Sequence, residues 1–408
     1  MKMKDVTKFI KVFVLLIASY FVFAVLSCLL PDKTIKAHIA QSAPGLAEEG
    51  SYPNAIITWD QCQMDNFTDA LIMNQIYNID RKHPVRSAMI VNRSSEGGLD
   101  WDQPGLLLRR VHGEELKSHQ YSRYWHGNTF LFRFVLLLMD FNMLRWTLYL
   151  ISGLLMVMLL CAYYPEAGTL KTMALSFGFL VTCGFVTQFS MQFFPVLALT
   201  LIGSLLVIKR DKSKDFGLLF FIVGSLTCYF DLLTAPLLTL GIPLAVMLSL
   251  NKDSQFDLKR NLLTIIKLIL LWGLGFALTF FMKWVLASLI LGQNVLADAY
   301  EVALYRMDTE VFTRWDALSR NFKMIPLWMI IVAVAVLIVI DVVRHKRLNC
   351  KKALAYLLVG VMPLVWYLLL SNHSYIHWWF TYRLLAITIT CLMLMLSDAI
   401  PTTSEKSL

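Results

Sequence analysis

Charge is what this chain has least of. Of its 408 residues only 16% are Asp, Glu, Lys or Arg, against 57% hydrophobic, and the mean hydropathy is +0.61. A soluble domain carries about 25% charged residues, so this chain lacks the polar surface to cover itself in water. The same figures exclude disorder, which needs charge-rich and apolar-poor sequence. Familiar catalytic signatures are missing too: there is no GxxxxGK[ST] phosphate loop, no HExxH and no GxSxG elbow, so those three chemistries are set aside. The seven cysteines (Cys28, Cys62, Cys161, Cys183, Cys228, Cys350, Cys391) show no metal-ligand spacing. Most lie in apolar runs, where Cys behaves as a small hydrophobe. Only Cys62 falls clearly in a polar segment, so no disulfide framework is implied.

What the chain has instead is long apolar runs. A bilayer core about 30 Å thick takes roughly 20 such residues per helix. Candidate spans fall near 9–30, 143–164, 172–188, 191–208, 216–232, 235–250, 262–290, 325–342, 353–371 and 383–399. The net charge of +9 is dispersed between them, in Lys2, Lys4, Lys8 and Lys11, then Lys209-Arg210-Asp211-Lys212, Lys259-Arg260, and Arg344-His345-Lys346-Arg347 with Lys351-Lys352. Those clusters fall on one side of a ten-span arrangement, the positive-inside pattern, and not in a nucleic-acid-binding stripe. The expectation is an all-α polytopic membrane protein with about ten transmembrane helices, both termini cytoplasmic, and one membrane domain over 1–408. Lys267 and Lys283 are expected to snorkel to an interface.

Two segments on the opposite face are too long to be connectors: a large extracytoplasmic loop at 31–141 and a second at 292–324. Long loops in compact folds are usually functional. Within the first, the run 64–73 reads as a helix with Asp65 and Asp69 one turn apart. A stretch from Tyr121 to Met139, including Arg123, His126 and the interrupting Arg133, fits an interfacial helix. Every histidine except His345 falls on the outer side, so any site faces outward.

Three constellations could carry chemistry. Asp60, Asp65 and Asp69 could supply a desolvated general base or, for the pair one turn apart, share a divalent cation such as Mg or Mn. They could equally form a solvated helix face with a capping Asp. In the late turn 371–383, His373, His377 and Arg383 could hold a lipid-linked phosphate, or belong to an interfacial aromatic belt. Asp231, between two apolar runs, is either functional or a cap on a hairpin in water.

This layout resembles the GT-C superfamily of polytopic glycosyltransferases, which includes protein O-mannosyltransferases and aminoarabinose transferases. The resemblance covers nearly the whole chain. It rests on the first span, the outer loop with its acidic helix, the stretch Tyr124-Trp125-His126-Gly127 followed by Arg145 opening span two, and the turn from His373 through Arg383. The usual paired acids close behind span one are absent, since about thirty residues separate Leu30 from Asp60. No large soluble domain follows the last span, which would make this a compact member.

The resemblance implies transfer of a sugar from a polyprenyl-phosphate donor to an extracytoplasmic acceptor (cell-wall polymer, glycolipid or protein), usually with inversion. The site would face outward from a bacterial plasma membrane. Asp65 is the first candidate base, then Asp69, then Asp60. His373, His377 and Arg383 would stabilise the departing phosphate, while Arg123, His126, Arg145 and Asp231 would line the substrate. The alternatives are a transporter or flippase of lipid-linked sugars, disfavoured by spans nearly free of charge, and a polysaccharide polymerase or ligase. For the last, the 292–324 loop should matter more than the first.

Overall fold

The computed structural model describes residues 3–56, 59–97, 100–210, 215–251, 256–344 and 350–398. Lys2, Asp211-Lys212 and His345-Lys346-Arg347 of the basic clusters lie outside the described residues. The chain is mostly helical. In order, the helices are α1 (Met3–Leu29), α2 (Asp32–Glu49), α3 (Asn66–Tyr77), α4 (Pro84–Ile90), α5 (Gln103–Val111), α6 (Gly127–Leu136), α7 (Phe141–Val181), α8 (Phe193–Lys209), α9 (Gly217–Phe230) and α10 (Leu238–Ser249). There follow α11 (Leu258–Leu291), α12 (Val295–Met307), α13 (Arg314–Phe322), α14 (Leu327–Arg344), α15 (Cys350–Gly360), α16 (Met362–Leu369), α17 (Ser371–Ile376), α18 (Trp378–Thr381) and α19 (Leu385–Asp398). One antiparallel pair, β1 (Arg93–Ser95) and β2 (Lys117–His119), sets Arg93 opposite His119.

Among the described residues, five helical stretches are long and apolar enough to cross a membrane: Val6–Leu29, Phe141–Val181, Leu258–Leu291, Cys350–Leu369 and Trp378–Asp398. A sixth is counted if Arg314–Phe322 and Leu327–Ile338, bent by 71°, form one span. Large apolar side chains stay exposed along these stretches, among them Leu15, Leu150, Leu154, Leu270, Leu289 and Leu327, a surface suited to lipid and costly in water. The number is below the ten expected for two reasons. The expected spans 143–164 and 172–188 are both helical but fall within one counted stretch, because they meet inside α7 at a kink at Gly168, where φ is +79° and a side chain would be strained. Helices α8, α9 and α10 coincide with three further expected spans but are shorter than a bilayer requires.

The first loop is a folded layer and not a tether. Apolar faces of α2 (Ile35, Ile39), α3 (Ile72, Ile76) and α6 (Phe132, Leu136) meet the start of α7 (Phe141, Leu144) in one core. Helix α6 falls where an interfacial helix is expected, but it is apolar on two sides: Phe130 packs into the core of α1, α9 and α11. It is therefore buried between two layers. Arg133 lies wholly buried on it, donating to the carbonyls of Ser27 (2.9 Å), Ile76 (3.1 Å) and Leu30 (3.2 Å) and pairing with Asp32. Its guanidinium thus satisfies open carbonyls at the end of α1. Lys283 does not snorkel. It is buried in α11 and donates to the carbonyl of Met89 at 2.9 Å, in the last turn of α4. Lys267 stays half-exposed in an ion pair with Asp215 at 2.7 Å.

Helices α9 and α11 approach closely through small residues. A Cβ on Gly224 would collide with the Trp272 carbonyl, and one on Gly275 with that of Phe221, the packing that lets apolar helices associate by backbone contact.

Candidate functional site

Helix α3 is where the first-loop layer meets the membrane-type helices. Asp65 is its N-cap, its Oδ1 accepting from the Thr68 backbone N–H at 3.0 Å. The helix begins at Asn66, two residues later than the pattern implies. Capping is as the simplest reading had it, but the face is not solvated: Asp65 is 3% exposed and Asp69 2%. Asp69 Oδ1 accepts from the Met191 N–H (2.9 Å) and Ser190 Oγ (3.2 Å), both in the turn between α7 and α8. Asp65 Oδ2 is buried and has no hydrogen-bond partner.

Burial raises the pKa of both acids. For Asp65 the Thr68 hydrogen bonds and the Arg383 charge oppose that rise. Asp69 is pushed up to about 8, first by burial and then by the Asp65 charge, against Arg145. The pair therefore behaves as two coupled carboxyls holding less than two charges at neutral pH.

Arg383 sits against this pair. Its Nη2 donates to the Gln63 carbonyl (2.9 Å) and its Nη1 to that of Trp379 (3.2 Å), while Nε is buried without a partner. Arg145, in the first turns of α7, reaches Glu49 with Nη1 (2.8 and 3.0 Å) and Asn66 with Nη2. Asn66 Nδ2 closes that triangle on Glu49 at 2.9 Å.

A polar path continues from Asp69. Gln192 receives Asn128 on its Oε1, donates to Thr234 Oγ1, and lies 3.4 Å from Asp231 Oδ1. Asp231 does cap its hairpin, accepting from the Thr234 N–H at 3.0 Å, yet it is 1% exposed and not in water. Its Oδ2 has no partner. In the same hairpin the Leu233 carbonyl accepts from His373 Nε2 at 3.0 Å. The His373 and His377 rings lie 4.8 Å apart, and His377 is 5.3 Å from Trp379. Trp379 in turn packs at 4.8 Å on Tyr52, whose buried hydroxyl lies beside Asp65 without a partner. The path closes on itself.

The sequence-selected residues thus divide. Asp65, Asp69, Asp231, His373, His377, Arg383 and, through Asn66, Arg145 line one buried polar belt. Asp60 does not join it: it is exposed and, among the described residues, accepts only from Asn54, at 3.3 Å. Arg123 pairs with Asp298 of α12 at 3.0 Å. His126, at φ +56°, bonds the Tyr121 carbonyl through Nε2 at 2.8 Å. Arg306, whose charge reaches both His373 and His377 and which lies over the Tyr124 ring at 5.4 Å, links that group to the belt.

Hydrogen-bond chemistry fixes what the histidines offer. A carbonyl only accepts, so Nε2 carries the proton in both His126 and His373, and the partnerless Nδ1 of each is a lone-pair acceptor. Burial keeps both rings neutral, His126 being pushed down to about 3 and His373 well below its usual value. They suit a hydroxyl donor better than a phosphate. Donors free of a partner there include Arg383 Nε, Arg145 Nε, Trp379 Nε1 and the Tyr52 hydroxyl.

Sequence reasoning passed over Gln192, Ser190, Glu49, Tyr52 and Arg306. Gln192 carried a usable signal, an amide inside an apolar stretch; the others did not stand out. Comparisons with family models, curated proteins and solved structures find no match. The site therefore rests on its own geometry. Among the described residues no three His, Cys, Asp or Glu side chains converge as a metal-binding group. Mg²⁺ is often held by one or two carboxylates plus substrate phosphates, so Asp65 and Asp69 fit such an ion only together with substrate.

Proposed function

We propose that the chain is a membrane glycosyltransferase of GT-C-like, roughly ten-span architecture that moves a sugar from a polyprenyl-phosphate donor to an extracytoplasmic acceptor. The observation that carries this reading is Asp65 Oδ2, a buried carboxylate oxygen left without a partner between a second carboxyl and an arginine. Such an atom is costly unless something else supplies its hydrogen bond. An acceptor hydroxyl does so. Asp65 takes its proton as the oxygen attacks the anomeric carbon, and the bond to the phosphate oxygen breaks with its electron pair left on phosphate.

Arg383, with a free Nε–H, faces that developing charge, where preorganised donors count most. His373 and His126 accept from sugar hydroxyls and do not hold the phosphate. Asp69, largely protonated at neutral pH, keeps the local charge low enough for Asp65 to ionise. A groove of about 480 Å³ lined by Met156, Leu160, Met173, Phe177 and Leu180 ends at Gly184 and Gln188. That is the same turn that supplies Ser190 and Met191 to Asp69, so an apolar chain lying there would bring its headgroup to the belt. A divalent cation, if one binds, would add charge to the phosphate side.

The test is release of free polyprenyl phosphate from a panel of polyprenyl-phosphate sugars by the protein in lipid, for wild type and Asp65→Asn, with and without EDTA. Donor-dependent release that the variant loses is the expected result. Release that persists in the variant removes Asp65 as base. No release from any donor, with crude cell-wall acceptors present, overturns the transferase and leaves transport as the better reading. Sensitivity to EDTA would place a cation with the carboxyl pair.

A further inference from the structure

Cys62 and Cys183 are separated by 121 residues, yet their sulfurs lie 2.7 Å apart and both side chains are buried. Cys62 ends a short 3₁₀ turn in the first loop, Asp60–Cys62, and Cys183 sits in the turn after α7. With Val186 they form a small apolar cluster flanked by Trp59, Met64 and Phe185. The flanking backbone is held in register by the last turn of the chain. The Tyr382 hydroxyl reaches the carbonyls of Gln61 (2.6 Å) and Thr182 (3.1 Å), the residues just before each cysteine, and Arg383 holds the carbonyl of Gln63, just after the first. Cys183 has φ +50°, a left-handed conformation rare for a side-chain-bearing residue. Such a conformation persists only where its surroundings over-determine it. Among the described residues no other pair of sulfurs is in contact.

We propose that Cys62 and Cys183 are joined in a disulfide that clamps the first-loop layer to the α7–α8 turn. Closing it takes the two thiols from contact to the bonded separation of about 2.05 Å. Two protons and two electrons leave, and the electrons pass to a disulfide-bearing thiol oxidoreductase through a mixed disulfide. The contact with Cys62 and then the Arg383 charge hold the Cys183 thiol below its usual value, while that contact and burial push Cys62 up, so Cys183 is the sulfur suited to exchange as thiolate. Both cysteines lie on the face expected to be extracytoplasmic, where disulfides persist. The clamp would hold Asp65 and Asp69 against Ser190, Met191 and Arg383. It stands whether or not the protein transfers sugars.

The experiment uses the full chain made in a bacterial host with an oxidising periplasm. Membranes are denatured in N-ethylmaleimide to block every free thiol, then reduced and labelled with a polyethylene-glycol maleimide. Exactness of folding does not enter, because thiols are scored in denatured protein. Two additions in wild type, and none in Cys62→Ser or Cys183→Ser, is the expected pattern. No addition in wild type overturns the proposal, as do two additions that survive in both single variants, which would assign the bond elsewhere. A second arm exposes protein in lipid to oxidised glutathione. A bond that closes only there refutes a resident disulfide.

Discussion

Helices α10 and α19 each run between two buried polar clusters, and the two clusters differ in kind. At the C-terminal ends, Asp398 receives Lys171 (2.6 Å), Lys352 (2.8 Å) and the Tyr356 hydroxyl (2.8 Å). The two lysines also donate to the carbonyls of Ser249 (2.8 Å) and Asn251 (3.0 Å). None of these side chains leaves a buried polar atom without a partner. At the N-terminal ends, Asp65, Asp231, His373 and Arg383 each leave one. A buried polar atom without a partner costs about 1–3 kcal/mol. Such atoms take their bonds from ordered water or a ligand, so the first cluster is complete within the fold and the second is open.

The sharpest contrast is between a carboxyl at each end. Asp65→Asn is expected to lower turnover about 10²–10⁴-fold while leaving the melting temperature unchanged or raised, since the amide keeps the cap and loses a buried charge. Measured together on one preparation, a melting temperature that collapses with the activity would erase the distinction. Asp398→Asn is expected to do the reverse. Removing one member of a buried ion pair costs about 3–5 kcal/mol, which unfolding in detergent would read, and the molecules that remain folded should turn over normally.

How much of this could be read beforehand depends on which residues are asked about. The helix carrying Asp65 and Asp69 was legible from local pattern, because a cap and a period are properties of adjacent residues. The late turn with His373, His377 and Arg383 was legible as a polar cluster, because its residues are neighbours in the chain. The burial of Asp65 and Asp231 was not, because it is created by packing between segments far apart in the chain, as the bond from Arg383 to the Gln63 carbonyl illustrates. Arg133 and Lys283 misled for a related reason. Each is a cation in an apolar run, and whether it interrupts, snorkels or bolts two helices together depends on which carbonyls come within reach. The pairing of Cys62 with Cys183 was hidden because the second cysteine lies at the end of an apolar run, where its spacing to the first carries no signal.

A smaller effect tests whether the open cluster holds protons as its geometry implies. Asp69 is raised to about 8 and ordinary carboxyls in an unfolded chain titrate near 4. Between those values the folded form binds a proton that the unfolded form has lost, so stability falls as pH rises and levels off above about 8. Asp69→Asn should flatten that fall, read as the difference in melting temperature between wild type and variant from pH 5 to 9. Asp65→Asn should shift its upper end downward by removing the neighbouring charge. Curves that superimpose for wild type and both variants would show that neither carboxyl is desolvated.

The smallest expected effect is none, and it separates Asp60 from its two neighbours. All three acids fall within ten residues, and by sequence alone any could be the base. Asp60 is exposed, and among the described residues its side chain bonds only Asn54 and forms no ion pair. A solvated carboxylate lacks the desolvation and the fixed direction that general-base work uses. Asp60→Asn should therefore leave turnover unchanged and move stability by no more than about 0.5 kcal/mol, measured in the same release assay and melts. A loss of activity comparable to that of Asp65→Asn would mean that the first loop closes onto its substrate in a different arrangement, with Asp60 carried inward, and the contrast between exposed and buried acids would no longer locate the site.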